Sequence, residues 1–208
     1  MNKDFSGQDL SGKDLNGQDL SGANLSGANL SGANLKWTDL SKADLEEANL
    51  ESANLEGANL EDAELECAFL EKANLSYTNL MRANLSETNL EEANLRNANL
   101  RNAYLECANL KNANLRNAYL ECANLDCANL SGTNLDGADL ESANLSDTNL
   151  EEANLKNTRY NYQTRLPKNF NRKKHSMILI RTEEEMELDD RNEQFIQQIR
   201  RSFEEDKD

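Results

Sequence analysis

Leucine stands at every fifth position of this chain from Leu10 to Leu155, thirty times without interruption, with Phe5 in register before the run and Tyr160 after it. Alanine sits two places before most of these leucines, in units such as Ala23-Asn24-Leu25-Ser26-Gly27 and Ala113-Asn114-Leu115-Arg116-Asn117. A period of five fits neither regular element. On an α-helix, at about 100° per residue, successive leucines would step by about 140° and run all round the rod. On a strand, an odd period would send them alternately to opposite faces. They share one side only if the chain turns within every unit. Turning units at a fixed period make a solenoid, in which each coil buries its apolar residues against the next. Valine is absent and the content of large apolar residues is low, a composition that by itself suits disorder. The unbroken register rules disorder out for the repeats, because a chain without a core has no reason to hold leucine in phase.

These Ala-Asn/Asp-Leu-x-x units resemble the pentapeptide-repeat family over roughly residues 3–160. The resemblance implies an all-β solenoid, a right-handed quadrilateral β-helix with four pentapeptides to a square coil and about eight coils. It places the leucine and the alanine two before it inward and the other three positions outward. It also implies a protein that is not an enzyme. Some members mimic DNA and bind type II topoisomerases, and some are implicated in regulation and development in photosynthetic prokaryotes.

The side chains suit such a fold. A narrow core needs one branched and one small residue per side; Leu and Ala supply them, with Thr38, Thr78, Thr88, Thr133, Thr148 and Thr158 in the alanine slot. All nine glycines, Gly7, Gly57 and Gly137 among them, fall two places after the central residue, at a corner where glycine relieves the backbone. Glu, Cys, Asn and Ser also occur there, which reads as a corner where positive φ is not required. The Asn or Asp before each leucine suits bonds to turn backbone and, repeated coil over coil, a ladder. In the first coil the alanine slots hold Lys3, Gln8, Lys13 and Gln18. Long polar side chains fit only an open end, so this coil reads as a polar cap.

The C-terminal part changes character. Residues 159–182 carry seven Lys or Arg and no acid, whereas residues 183–208 carry eleven acids and four Lys or Arg. Residues 160–180, with Leu166-Pro167 and Phe170, resemble the capping segment of cyanobacterial-type members, and Pro167, the one proline, marks the exit from regular repeats. Met177-Ile178-Leu179-Ile180 reads as an edge strand on the last coil or a cover over it. Thr182 with Glu185 reads as a capping box, followed by an apolar stripe at helical spacing: Leu188, Phe195, Ile196, Ile199 and Phe203. That helix is expected to fold back on the solenoid, or else to dock on a partner or a second copy, which would give a homodimer through the C-terminal end. The expected organisation is a β-helix over 1–160, a basic cap over 161–182 and an amphipathic helical tail over 183–208.

The net charge is −16, which disfavours direct nucleic-acid binding. No apolar stretch is long enough for a membrane span, and Met1-Asn2-Lys3-Asp4 leads straight into repeats, so the expectation is a cytoplasmic protein with no membrane contact. Cys67, Cys107, Cys122 and Cys127 share the glycine register and point outward. At twenty residues per coil, Cys107 and Cys127 are vertical neighbours within disulfide reach, while a reducing cytoplasm favours free thiols. No metal or cofactor site is expected, since the only histidine, His175, lies in the tail. No nucleophile–base pair or phosphate loop stands out from the repeat.

Twenty residues per coil also sort the charges. The face of Leu25, Leu45 and Leu65 has ten acids and one base, net −9, and the adjoining face of Leu30, Leu50 and Leu70 is −5. The face of Leu20, Leu40 and Leu60 is −4, and that of Leu15, Leu35 and Leu55 is +2. Two candidate surfaces follow. Glu46, Glu66, Glu106 and Asp126, with Glu47, Glu87 and Asp147 beside them, form an acidic column that could pass for DNA to gyrase or another DNA-binding protein. Trp37 and Tyr77 share a column of the basic face, two coils apart with Gly57 between them and Lys36, Arg96 and Arg116 alongside. The reading there is a notch that takes an acidic or apolar side chain from a protein partner, against the plainer reading of two aromatics lying flat on neighbouring coils. The leading expectation is a rigid, non-catalytic scaffold that binds another protein, with DNA mimicry as the alternative.

Overall fold

A computed structural model describes residues 3–168 and 170–181. Each pentapeptide makes the same move. The leucine carbonyl accepts a hydrogen bond from the alanine N–H three residues on, as from Ala28 to Leu25 at 3.0 Å, which closes a tight turn. The third residue of that turn has positive φ, the sign of a type II turn. Two backbone bonds then flank each leucine: Leu25 N–H donates to the Asp44 carbonyl at 2.7 Å, and Asp44 N–H donates to the Ala23 carbonyl at 2.9 Å. The partners are twenty residues apart and parallel, from Asp4 with Asn24 to Asp139 with Arg159. Four turns per twenty residues make a four-sided coil, and residues 3–160 wind through about eight of them.

Two details differ from the sequence reading. A side of the coil is too short between turns for an extended strand, so neighbouring coils pair through one residue per side. Among the described residues only β1 (Arg159–Tyr160) and β2 (Ile178–Leu179) are strands, paired parallel. Positive φ is also the rule at the corner, not an option: every fifth residue from Gly7 to Asn157 has φ between 52° and 72°, including Trp37, Glu47, Cys67 and Tyr77. Turn closure and the bond from the corner N–H to the next coil, as from Trp37 to the Glu56 carbonyl at 3.0 Å, impose it whatever the side chain. A non-glycine residue tolerates this at a strain of about 1–2 kcal/mol.

The core is one continuous cluster of the inward Leu and Ala, fully or almost fully buried from Ala23 to Leu145. Buried threonines in the alanine slot lose no hydrogen bond. Thr78 Oγ1 donates to the Leu75 carbonyl at 2.7 Å and Thr133 Oγ1 to the Leu110 carbonyl at 2.8 Å. At the first coil Gln8, Lys13 and Gln18 are exposed and Phe5, Leu10 and Leu15 only partly buried, as an open end requires. Lys3 Nζ reaches Asp19 Oδ1 at 2.9 Å and the Ser21 carbonyl at 3.0 Å. The Ser21 hydroxyl, Lys3 and the Ser21 N–H together hold the Asp19 carboxyl well below the usual range.

The other end is covered. Register resumes one residue late after Tyr160, pairing Asn144 with Arg165, and Thr164 and Leu166 take the alanine and leucine slots. Thr164 Oγ1 donates to the Leu140 carbonyl at 2.8 Å. The repeat therefore extends one unit past the expected boundary at residue 160. A 3₁₀ turn (Arg172–Lys174) brings the chain back, and β2 lies along β1. Leu166, Phe170 and Met177 pack against the core. The expected docking helix, with Leu188, Phe195, Ile196, Ile199 and Phe203, lies outside the described residues.

Candidate protein-binding surfaces

The outward residue before each leucine is the element that organises the surface. Its Oδ1 accepts the N–H two residues on, as Ser26 N–H to Asn24 at 3.1 Å, which orders the turn. Where asparagines stack, Nδ2 donates down the column. The column beside Leu15, Leu35 and Leu55 runs from Asn114 to Asn94, Asn94 to Asn74 and Asn74 to Asn54, at 3.3, 3.0 and 3.1 Å. Such ladders were expected from the repeat. Four residues interrupt them without having been singled out from the sequence: Glu64, Phe69, Tyr104 and Tyr119, in slots that Asn or Asp otherwise fills. All three aromatics are exposed. An aromatic side chain in an Asn slot was the available signal. Tyr119 is covered by the Arg101 guanidinium at 4.4 Å, which also pairs with Glu121 at 2.7 Å.

The basic face does not hold an open notch. Trp37 and Tyr77 are exposed, in one column as expected, but the six-membered ring of Trp37 lies on Gly57, where an added Cβ would overlap it. Gly57 is thus the bed of the indole and not the floor of a cleft. The corner conformation and the missing Cβ one coil on let the ring fold down, as the plainer reading has it for Trp37. Two of the three neighbouring cations are also engaged: Lys36 with Glu56 at 3.1 Å and Arg116 with Asp136 at 3.5 Å. Arg96 makes no ion pair among the described residues.

The acidic face is the reverse. Glu46, Glu47, Glu66, Glu87, Glu106, Asp126 and Asp147 fall in two adjacent columns, and none makes an ion pair among the described residues. Some accept neutral donors: Glu66 from Asn84 Nδ2 at 3.2 Å, Glu106 from Ser86 Oγ at 3.2 Å and from Asn124. Asp126 Oδ1 is buried without a partner. Cys67 faces Glu87 at 3.9 Å, and burial first, then the surrounding glutamates, push its thiol up, away from the reactive thiolate. Cys107 and Cys127 are joined in a disulfide, with Cα atoms 4.8 Å apart, so these stacked thiols are not free as expected. One coil of rise places the pair at bonding distance. Such a bond persists in oxidising surroundings and is in tension with a reducing cytoplasm. Among the described residues no group of three or more His, Cys, Asp or Glu could hold a metal, and no helix is long and apolar enough to cross a membrane.

Parallel one-residue pairing at a spacing of twenty, left-handed corners at every fifth residue and a Leu–Ala core define a four-sided β-helical solenoid. The sequence model described as pentapeptide repeats matches residues 4–36, 28–66, 38–76, 53–90, 78–117 and 123–159. The chain belongs to the pentapeptide-repeat family, whose members fold as right-handed quadrilateral β-helices. Among solved structures it is similar to HetL, a pentapeptide repeat protein involved in heterocyst differentiation regulation in the cyanobacterium Nostoc, at 30% identity over 74% of this chain and 89% of that one, with a TM-score of 0.20. A pentapeptide repeat protein of the Arabidopsis thaliana thylakoid lumen is 31% identical over 55% of this chain and 69% of its own, with a TM-score of 0.35. QnrB1, a plasmid-mediated fluoroquinolone resistance protein, is 16% identical over 83% and 93%, with a TM-score of 0.42. No curated protein matches the chain.

Proposed function

We propose that this protein is a rigid, non-catalytic scaffold that binds another protein through its acidic side. One observation carries the reading: the acidic columns from Glu46 to Asp147 keep their charge free of cations among the described residues, whereas on the opposite face Lys36 and Arg116 are each paired with an acid one coil on. A solenoid fixes such columns at one spacing per coil, so a partner meets a preordered charge pattern. Affinity capture from the native extract tests it. Parent protein should retain a partner that a Glu46→Lys, Glu66→Lys, Glu106→Lys variant loses while still folding. A parent that retains nothing removes the scaffold reading.

Mimicry of DNA is the second reading, supported by charge density. The two most acidic adjoining faces sum to −14 over about eight coils, roughly −1.8 per coil, against roughly −2.8 for the same 4.8 Å of duplex. A gyrase supercoiling assay, with duplex DNA as competitor, separates the two: inhibition relieved by DNA supports mimicry, and unaffected supercoiling removes gyrase as the target.

A further inference from the structure

We infer that the depression around Phe69 is a socket for an arginine side chain presented by the protein partner, an assignment that rests on the scaffold reading above. Phe69 stands between Asn49 one coil before and Asn89 one coil after, in a slot that Asn or Asp fills at every other coil of its column. The ladder in that column is intact farther on, from Asn129 to Asn109 and from Asn109 to Asn89. A phenyl ring can neither donate nor accept there, so it gives up ladder bonds on both sides. It does not recover them by burial, since it remains 53% exposed. A residue that weakens its own column and stays in solvent has no structural explanation within the coil.

The surroundings specify the occupant. Phe69 is part of a depression of about 290 Å³ lined by Glu47, Asn49, Glu51, Glu71 and Asn89. Glu47 and Glu51, from the preceding coil, make no ion pair among the described residues, and Glu71 is held only by its neighbour Lys72. An anion would be repelled and an aliphatic chain would strip water from carboxylates with nothing in return. A lysine ammonium would find the charge and attract the ring face, but as a compact, strongly hydrated point charge it cannot stack on the ring. A guanidinium meets both: its weakly hydrated plane stacks on the ring, and its edge donates to carboxylates. The socket sits where the two most acidic faces adjoin, so the field that steers a basic partner converges on it. Aromatic residues and arginine are also the residue types enriched in interface hot spots.

The test uses the full chain, labelled with ¹⁵N, titrated with two blocked hexapeptides that differ only in carrying arginine or lysine. The arginine peptide should bind at least about threefold tighter and shift the amides of Phe69, Glu47 and Glu51. Phe69→Asn restores the ladder residue and so keeps the fold. It should abolish the arginine preference and leave the two peptides equal. A Glu47→Gln, Glu51→Gln variant should weaken both. An arginine preference that survives Phe69→Asn, no preference in the parent, or shifts centred on Glu46, Glu66 and Glu106 instead would each overturn the socket. Capture from extract keeps the two proposals apart: a partner retained equally by parent and Phe69→Asn removes the socket and leaves the scaffold standing.

Discussion

The face of Leu25, Leu45 and Leu65 and the face of Leu15, Leu35 and Leu55 rest on the same core and differ only in what they do with their outward residues. The second is internally settled. Its asparagine column forms an unbroken run from Asn114 to Asn54, Lys36 and Arg116 pair with acids one coil on, and Trp37 lies down on Gly57. The first is left open. Its column is interrupted by Glu64 and Tyr104, a single Asn–Asn rung joins Asn144 to Asn124, and other asparagines turn sideways to Glu66 and Glu106. Its acids pair with no cation among the described residues. The lesson is that one repeat can make a closed side and a receptive side without altering its interior, because three of five positions never enter the core.

If that is right, the core should not distinguish the faces. Leu95→Asp beneath the closed face and Leu105→Asp beneath the open one each bury an uncompensated carboxylate in a fully enclosed site. Both should lose the cooperative melting transition, while Arg96→Asp at the surface leaves it nearly unchanged. A Leu105 variant that melted like the parent would mean the open face is also loosely packed.

Ladder substitutions should separate the faces next. Asn94→Ala breaks bonds to Asn74 and Asn114 and the turn bond to Arg96 N–H, and should lower stability by about 1–3 kcal/mol in chemical denaturation. Asn84→Ala, whose Nδ2 reaches only Glu66, should lower it less. Equal losses would show that the ladder contributes nothing beyond the turn bond both share.

Gly57→Ala tests whether the closed face is closed. It should unseat the indole of the only tryptophan, shifting its emission to longer wavelength, with a stability change of about 1 kcal/mol, the size of corner strain. Unchanged emission would mean the ring does not rest on Gly57.

The smallest effect is electrostatic. The Arg82 guanidinium holds Asp62, and the Lys111 ammonium holds Glu91, below the ordinary carboxylate range. A depressed carboxylate contributes stability that is present above its unfolded value near pH 4 and is lost as pH falls through the folded value. Carbon-detected titration should find each group protonating at lower pH than an ordinary carboxylate of its type. Arg82→Gln should return Asp62, and not Glu91, to the usual range.

Much of the molecule was legible in the repeat. The register of Leu10 to Leu155 gave a turning solenoid, the polar slots of Lys3 to Gln18 an open end, and the stacked Asn a ladder, because each follows from period and polarity alone. Corner geometry was legible only in part. Nine glycines pointed to it, but Trp37, Glu47 and Cys67 disguised it, since a bond network can hold a residue where its own preference would not. The Trp37–Gly57 contact depended on a side-chain rotamer, which no column alignment supplies. The pairing of Lys36 with Glu56 was available as a column neighbour twenty residues on. Phe69 and Tyr104 were visible as aromatics in an Asn slot, but their exposure depends on which way that slot faces, which the period alone does not supply.

The Cys107–Cys127 bond has a mechanical consequence. In a rod where each coil grips only its neighbours, tension applied at the two ends peels coils away one after another. The bond ties two successive turns of the winding together, so the twenty residues of separation between them are withheld from the extended length even when every other coil has come undone. At about 3.3–3.6 Å per residue, less the 4.8 Å that the bridge itself spans between Cα atoms, the oxidised chain should reach a final extension about 65 Å short of the reduced one. A pulling experiment with and without reductant would read that difference directly, as a missing last step in the force trace.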